Sequence, residues 1–587
     1  MNHRKRIAQF LAAASLVAAS GCGLFWPAPP EETADTSVNR LVETTALHAR
    51  LGEPKLVVVD ARPTNDYLAG HIPGAVSASF TAEESMSRGY YVSYGGGVDL
   101  FVDANNPIPF QDGPPEQIQA AVRRMGINQD DTVVIYDNGA DFHAGRFFNS
   151  LARHGFKGMY LLNGGLGKWR AEGLPTSQEV SVVAEGNFVA HKAESGWIAS
   201  TDDVLNSMFD PNVALVSGLL PSWQWGSYLP YTVPGHIPGT RHVPLAYFFN
   251  SDRTWKSPEE VRKILNLFDI TPDKTVITYC GGGPLSACMH TTFKYILGYP
   301  NVLHYSESYL GWIWDPRELP VDTYHHPDRL RDSAWLRWWA GDRIQILLPV
   351  PPALVADVRS QAAYQTEHIP WSVNLPLDDM NQAVSKTTAE WANILGAHGI
   401  DARVEVVAAD DTVTPSATFL FWLLEYLGQD KVSIASEGIT GWRAAGHRMT
   451  SEETPIAAPI TPIDVAVHPT TFTPSVRPKL RLAAPDAASD HPFSRVWVVS
   501  AKEIPDGVPV RTYQHVPWSD NLTAEGRFLT AGELWTLYEN AQVPYLSEIV
   551  CYSDNVAEAT MTYYVLRHLL SFPKVMVYLP AESGLQD

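Results

Sequence analysis

Cysteine is scarce in this chain, with four among 587 residues. A disulfide-stapled scaffold is thereby excluded, and no C-x-x-C pair is present to suggest structural zinc. Any cysteine that matters must act alone or nearly so. Basic residues are in deficit too: 43 Lys and Arg against 64 Asp and Glu give a net charge of −21. That balance argues against a phosphate-backbone binder, which needs clustered cations, so nucleic acid is not an expected partner. Beyond the N-terminal region no apolar run approaches the roughly 20 residues that cross a bilayer. Apolar material, by contrast, is plentiful. Hydrophobic residues make up 45% and charged residues 18%, which favours packed cores over disorder. At roughly 150 residues per domain the length prior is about four domains.

Arg4, Lys5 and Arg6 precede an apolar stretch, Ile7 to Ala19, interrupted only by Gln9 and Ser15. It is too short to span a membrane comfortably. Ala19, Ser20 and Gly21 then lead into Cys22, a pattern that resembles the lipobox of bacterial lipoproteins. The resemblance implies a signal peptide over residues 1–21, acylation of Cys22, a Pro-rich tether over 22–37 and a lipid anchor in the membrane of the cell envelope. The alternative is an ordinary secretory signal with Cys22 near its cut site. Both readings expect export.

Internal similarity decides the architecture. Residues 56–75 read LVVVDARPTNDYLAGHIPGA and residues 354–370 read LVADVRSQAAYQTEHIP. Each is an apolar strand, then Asp-x-Arg, a Tyr and His-Ile-Pro. A third copy at 215–240 keeps Gly235 to Gly239 but carries an insertion around Trp223, Trp225 and Tyr228, and a weaker fourth begins near 496. Every copy is followed by a β-branched run, a short loop and an amphipathic helix, which aligns Asp137, Cys280, Asp410 and Ser553 at one strand-to-helix turn. These turns recur at intervals of about one domain length. Strands alternating with helices predict an α/β fold in which each repeat is a parallel sheet with helices on both faces. Sites in such sheets form beyond the carboxyl ends of the strands, where this loop lies.

Asp60, Arg62 and Gly70 to Ala75, together with the six-residue loop Cys280 to Leu285, strongly resemble the signatures of the rhodanese family of sulfurtransferases. The resemblance implies tandem rhodanese-like domains: 38–185 without a catalytic cysteine, 190–325 with one, 330–452 without one, a linker at 453–480 and a degenerate fourth domain at 481–587. It also implies that Cys280 takes sulfane sulfur from thiosulfate or 3-mercaptopyruvate, holds it as a persulfide and passes it to a thiol or cyanide. No metal or organic cofactor is then required. In the second repeat Ser217 and Leu219 stand where the family has Asp and Arg, and Gly281 and Gly282 stand where thiosulfate-type members have Arg-Lys. Arg241 and His242 are the neighbouring candidate cations. At Ser286 the phosphatase relatives of the fold carry Arg, so phosphatase chemistry is disfavoured.

The residues themselves suit the chemistry. A thiolate is the nucleophile, and three consecutive glycines, Gly281, Gly282 and Gly283, let backbone N–H groups curl toward an anion. Pro284, Leu285 and Ser286 then open a helix whose positive end faces the same spot. Cys288 in that helix is either a resolving thiol for Cys280 or a packed residue. Cys551 lies in an apolar strand and reads as core, and His71, His236 and His368 read as turn histidines rather than a metal set. Asp137 at the centre of an anion-attracting loop is expected to fill it with its own carboxylate. Three functions stay open: a sulfurtransferase using Cys280, a non-catalytic binding or scaffold lipoprotein, and a Cys280/Cys288 redox sensor.

Overall fold

In a computed structural model, four parallel sheets follow one another along the chain. It describes residues 39–78, 85–87, 90–92, 103, 106–108, 110–192, 196–227, 232–339, 353–377, 379–456, 467–580 and 582–585. Cys22 and the leader therefore lie outside the described residues. No helix among the described residues is long and apolar enough to cross a membrane.

The first sheet has the strand order Leu41–Val42, Met159–Leu162, Thr132–Tyr136, Leu56–Asp60 and Val76–Ser77. The third and fourth sheets repeat that order, centred on Glu405–Ala409 and Glu548–Tyr552. The second has four strands, Val302–His304, Thr275–Tyr279, Val213–Ser217 and Arg241–His242. Strand side chains alternate between faces, so each β-branched run feeds two cores at once. Val59, Val133 and Ile135 pack with Phe147 and Leu151 on one side, whereas Val58, Val134 and Tyr136 pack with Leu166 and Trp169 on the other. This layering is what the alternation of strands and helices predicts.

The chain divides into two compact units, one holding the first two sheets and the other the last two. In the first unit, helix α1 (His143–Arg153) follows the central strand of the first sheet and α2 (Pro284–Thr291) follows that of the second. They meet closely, since a Cβ on Gly145 would fall 2.3 Å from Cys288 Sγ. Thr291 Oγ1 donates to the Gly145 carbonyl at 2.9 Å and Asn149 Nδ2 donates to His290 Nδ1 at 2.8 Å. In the second unit α3 (Pro415–Tyr426) and α4 (Val556–Tyr564) pair likewise, with the Thr418 and Thr560 hydroxyls 3.1 Å apart and Tyr563 donating to Glu425 at 2.7 Å.

Part of the stretch read as a linker is firmly tied down. The N–H groups of Thr470, Ser475 and Arg477 donate to carbonyls of Gly396, Leu427 and Tyr426, all at 2.8 Å. The last carbonyls of a helix lack intrahelical donors, and this extended segment supplies them to the end of α3.

Candidate active site

Asp137, Cys280, Asp410 and Ser553 are each the first residue after a five-residue central strand. What their loops enclose differs. In the first sheet the Asp137 carboxylate accepts N–H bonds from Gly139 at 2.8 Å and Ala144 at 2.9 Å. Burial, reinforced by Asp141, pushes its pKa up to about 6. In the third, Asp410 accepts from the Asp411 N–H and the Thr414 hydroxyl at 2.7 and 2.6 Å. In the fourth, the Ser553 hydroxyl donates to Glu558 at 2.7 Å. A carboxylate thus takes up loop donors in three of the four.

The loop after Tyr279 serves a sulfur atom instead. The Gly283 N–H donates to Cys280 Sγ at 3.3 Å, and Ser286 Oγ lies 3.5 Å from the same atom. Ser286 is in turn 2.9 Å from His304 Nε2, and the Cys280 N–H donates to Ser308 Oγ at 3.1 Å. Burial, with Arg153 next in size, holds His304 down to about 3, so its imidazole is neutral at ordinary pH. The three glycines have separate tasks. Gly283 caps α2 at φ 108° with the Ser306 carbonyl 2.6 Å from where a Cβ would be, a position closed to other residues. A Cβ on Gly282 would meet the Phe110 ring at 3.0 Å, while the Gly281 carbonyl accepts from the Leu310 N–H at 2.9 Å. Pro284 occupies the first helical position, where its missing N–H costs nothing. Leu285 is half-buried beside it.

Two expected cations are elsewhere. Arg241 donates to the Val213 carbonyl at 2.9 Å and pairs with Asp269 at 3.3 Å. Val213 begins the strand whose far end, Ser217, pairs with Tyr279 next to Cys280, so Arg241 serves the opposite end of the sheet. His242 is buried against the Leu219 carbonyl at 3.0 Å, and burial lowers its pKa to about 3. Neither brings positive charge to the loop.

Cys288 faces the α1 seam, against Gly145 and 3.9 Å from the Asp141 carbonyl. Burial, then Asp137 and Asp141, raise its pKa well above that of a free thiol. Cys288 lies inside α2 whereas Cys280 precedes that helix, and Cys280, Cys288 and Cys551 are all unbridged. Packing, not exchange with Cys280, is what this setting supports. The histidines of the turn motif are likewise occupied: His71 Nδ1 and Nε2 lie 2.8 and 3.0 Å from the Tyr67 and Glu179 carbonyls, and His368 repeats the arrangement with Tyr364 and Glu452 at 2.7 and 3.1 Å. Among the described residues no three His, Cys, Asp or Glu side chains converge as a metal set.

The Asp-x-Arg motif proves to be a brace. Arg62 donates to Asp60 through Nε at 2.9 Å and to the Gly70 carbonyl through NH2 at 2.8 Å, tying the strand end to the histidine turn. Arg359 does the same with Asp357 and the Glu367 carbonyl. In the second sheet the buried pair Ser217 and Gln224, joined at 2.8 Å, stands in that place. Sequence reasoning missed Gln224, His304, Ser308 and Phe110. Of these only Gln224 had a signal, its position in the insertion that follows Ser217.

The family model for the rhodanese-like domain matches residues 43–172, 201–314 and 344–445. The match stops short of the fourth sheet. A sulfur carrier protein of Thermus thermophilus is 30% identical over 284 residues, 46% of this chain and 93% of its own. A thiosulfate sulfurtransferase of Azotobacter vinelandii is 29% identical over 286 residues, covering 49% of this chain and 98% of its own. A 3-mercaptopyruvate sulfurtransferase of Escherichia coli is 28% identical over 290 residues, or 47% of this chain and 95% of its own. With more than half of its length matched by the model and its parallel sheets layered between helices, the chain belongs to the rhodanese-like domain family.

Proposed function

We propose that the protein is an exported sulfurtransferase working through a persulfide on Cys280. The observation that carries this reading is the contrast among the four loops: donors that bond carboxylates at Asp137, Asp410 and Glu558 are directed at Sγ in the second. Its relatives named for sulfur transfer support the same reaction class.

With thiosulfate as donor, the Cys280 thiolate attacks the outer sulfur, forming a new S–S bond while the old one breaks. Sulfite leaves with the electron pair. The enzyme then holds Cys280–S–S⁻, whose negative charge rests on the terminal sulfur near the N-terminal end of α2. A thiolate or cyanide attacks that sulfur and the Cys280 thiolate returns as leaving group. With 3-mercaptopyruvate a C–S bond breaks instead, and the pyruvate formed takes up a proton. The Gly283 N–H donates to Sγ of Cys280, and the Ser286 hydroxyl, 2.9 Å from the Gly283 carbonyl, holds that loop in place. Every residue in this cycle comes from the chain itself.

Intact mass after incubation with thiosulfate or 3-mercaptopyruvate tests it. The expected result is a gain of one sulfur, absent from Cys280→Ser and reversed by cyanide; no adduct from either donor on the folded protein rejects the reading. The envelope location is proposed on Cys22 and its flanking residues alone. Incorporation of labelled palmitate into wild type but not into Cys22→Ser supports the anchor, and an unlabelled wild type refutes it.

A further inference from the structure

We propose that Arg146, supplied by the first domain, holds the anionic group of the sulfur donor while Cys280 of the second attacks it. This rests on the sulfur-transfer reading and adds a residue that determines which donors are used.

An anionic donor approaching a thiolate needs a compensating cation, because two like charges a few ångströms apart repel strongly in a site shielded from water. The second domain does not bring one through Arg241 or His242, and its loop carries glycines where a cation would be placed. The first domain reaches across. Arg146 lies on α1 between Gly145, which touches Cys288 on α2, and Asn149, which bonds His290 on α2. Arg146 as a whole is 6% exposed, and its guanidinium donates from Nη2 to the Phe110 carbonyl. The Phe110 ring covers the Cys280 loop at Gly282. Arg146 also acts electrostatically on His304, the partner of Ser286 beside Sγ.

Two features of this arrangement suit a binding role. Arg146 sits in the first turn of α1, where the helix dipole disfavours a cation. An anion bound there relieves that cost, and a guanidinium offers a planar fork that fits a sulfonate or carboxylate. Phe110 is held at φ 66°, a conformation that a bulky residue adopts only under constraint. Cys280 itself is 1% exposed. A donor that displaces Phe110 opens the loop and puts its own oxygens where the Phe110 carbonyl accepted from the guanidinium. One movement then prepares both ends of the donor.

The test is equilibrium binding of thiosulfate to the full chain carrying Cys280→Ser, which needs no sulfur transfer. Adding Arg146→Met is expected to weaken binding at least tenfold, and Arg146→Lys to recover part of it, with melting temperatures alongside as the control for folding. Equal affinity for the Met and parent proteins, equal weakness of Lys and Met in proteins that melt alike, or no saturable binding to Cys280→Ser overturns the assignment. A failure of wild type to gain sulfur bears on the transfer reaction, because the binding measurement is made without it.

Discussion

At Cys280 the chemistry depends on how few donors a buried sulfur has. The Gly283 N–H is held on Sγ by the Ser286 hydroxyl, whose removal frees the Gly283 carbonyl at 2.9 Å and leaves His304 Nε2 without its 2.9 Å neighbour. A neutral hydrogen bond is worth about 1 kcal/mol, which is about fivefold in rate. Ser286→Ala should therefore slow sulfur loading of Cys280 by about that factor, read by quenched time points and intact mass, while leaving the fold intact. An unchanged rate would show that Ser286 is only packing. Gly283→Ala is expected to act on folding instead. Its φ of 108° and the Ser306 carbonyl at 2.6 Å from a Cβ predict a loss of about 2 kcal/mol, seen as a lower urea midpoint.

Helix pairing is the element on which the site depends, since α1 carries Arg146 and α2 begins at Cys280's loop. The contact is closest at Gly145, where an added methyl would lie 2.3 Å from Cys288 Sγ and 2.9 Å from its Cβ. Overpacking of this kind costs about 1–3 kcal/mol. Gly145→Ala should destabilise by that amount, and Cys288→Ala in the same chain should recover only part, because the Cβ clash persists; a double-mutant cycle measures the share. Much of this architecture was legible beforehand. A β-branched run followed by a loop and a helix recurs in each copy, and each predicted turn residue lies one position past its strand. The helices expected to be amphipathic are instead buried nearly all round, Ala417 to Tyr426 without exception, because each packs on both its sheet and its paired helix. What could not be read is what arrives from far along the chain. Phe110 reaches Gly282, and Ser308 reaches the Cys280 N–H, through folding alone. Arg241 misled for a related reason: its closeness in sequence to the recurring turn says nothing about which end of the strand its long side chain serves.

The first unit as a whole carries several imidazoles that fold neutral. Burial lowers His236 to about 4, His242 and His304 to about 3, and His290 well below the ordinary value. A histidine whose pKa is depressed on folding contributes stability present above the unfolded value near 6.5, which is lost as pH falls toward the folded value. Between pH 7 and 5 the unfolded chain gains protons that the folded chain refuses, at about 2 kcal/mol for each such group. Asp137 opposes this in part, because its raised pKa of about 6 favours the folded state below the unfolded carboxylate value and loses that benefit as pH rises through 6. Urea midpoints at pH 7 and 5 should show a marked net loss in acid; a flat profile would mean these histidines are protonated when folded. The filled loops bear on a different measurement. Asp137, Asp410 and Glu558 act as tethered ligands whose effective concentration exceeds that of a dilute free anion, so donors in three of the four loops are already engaged from within. Added sulfite should consequently raise the melting temperature of one cooperative unit only, the one containing Cys280, and the second unit's transition becomes a built-in reference for the first.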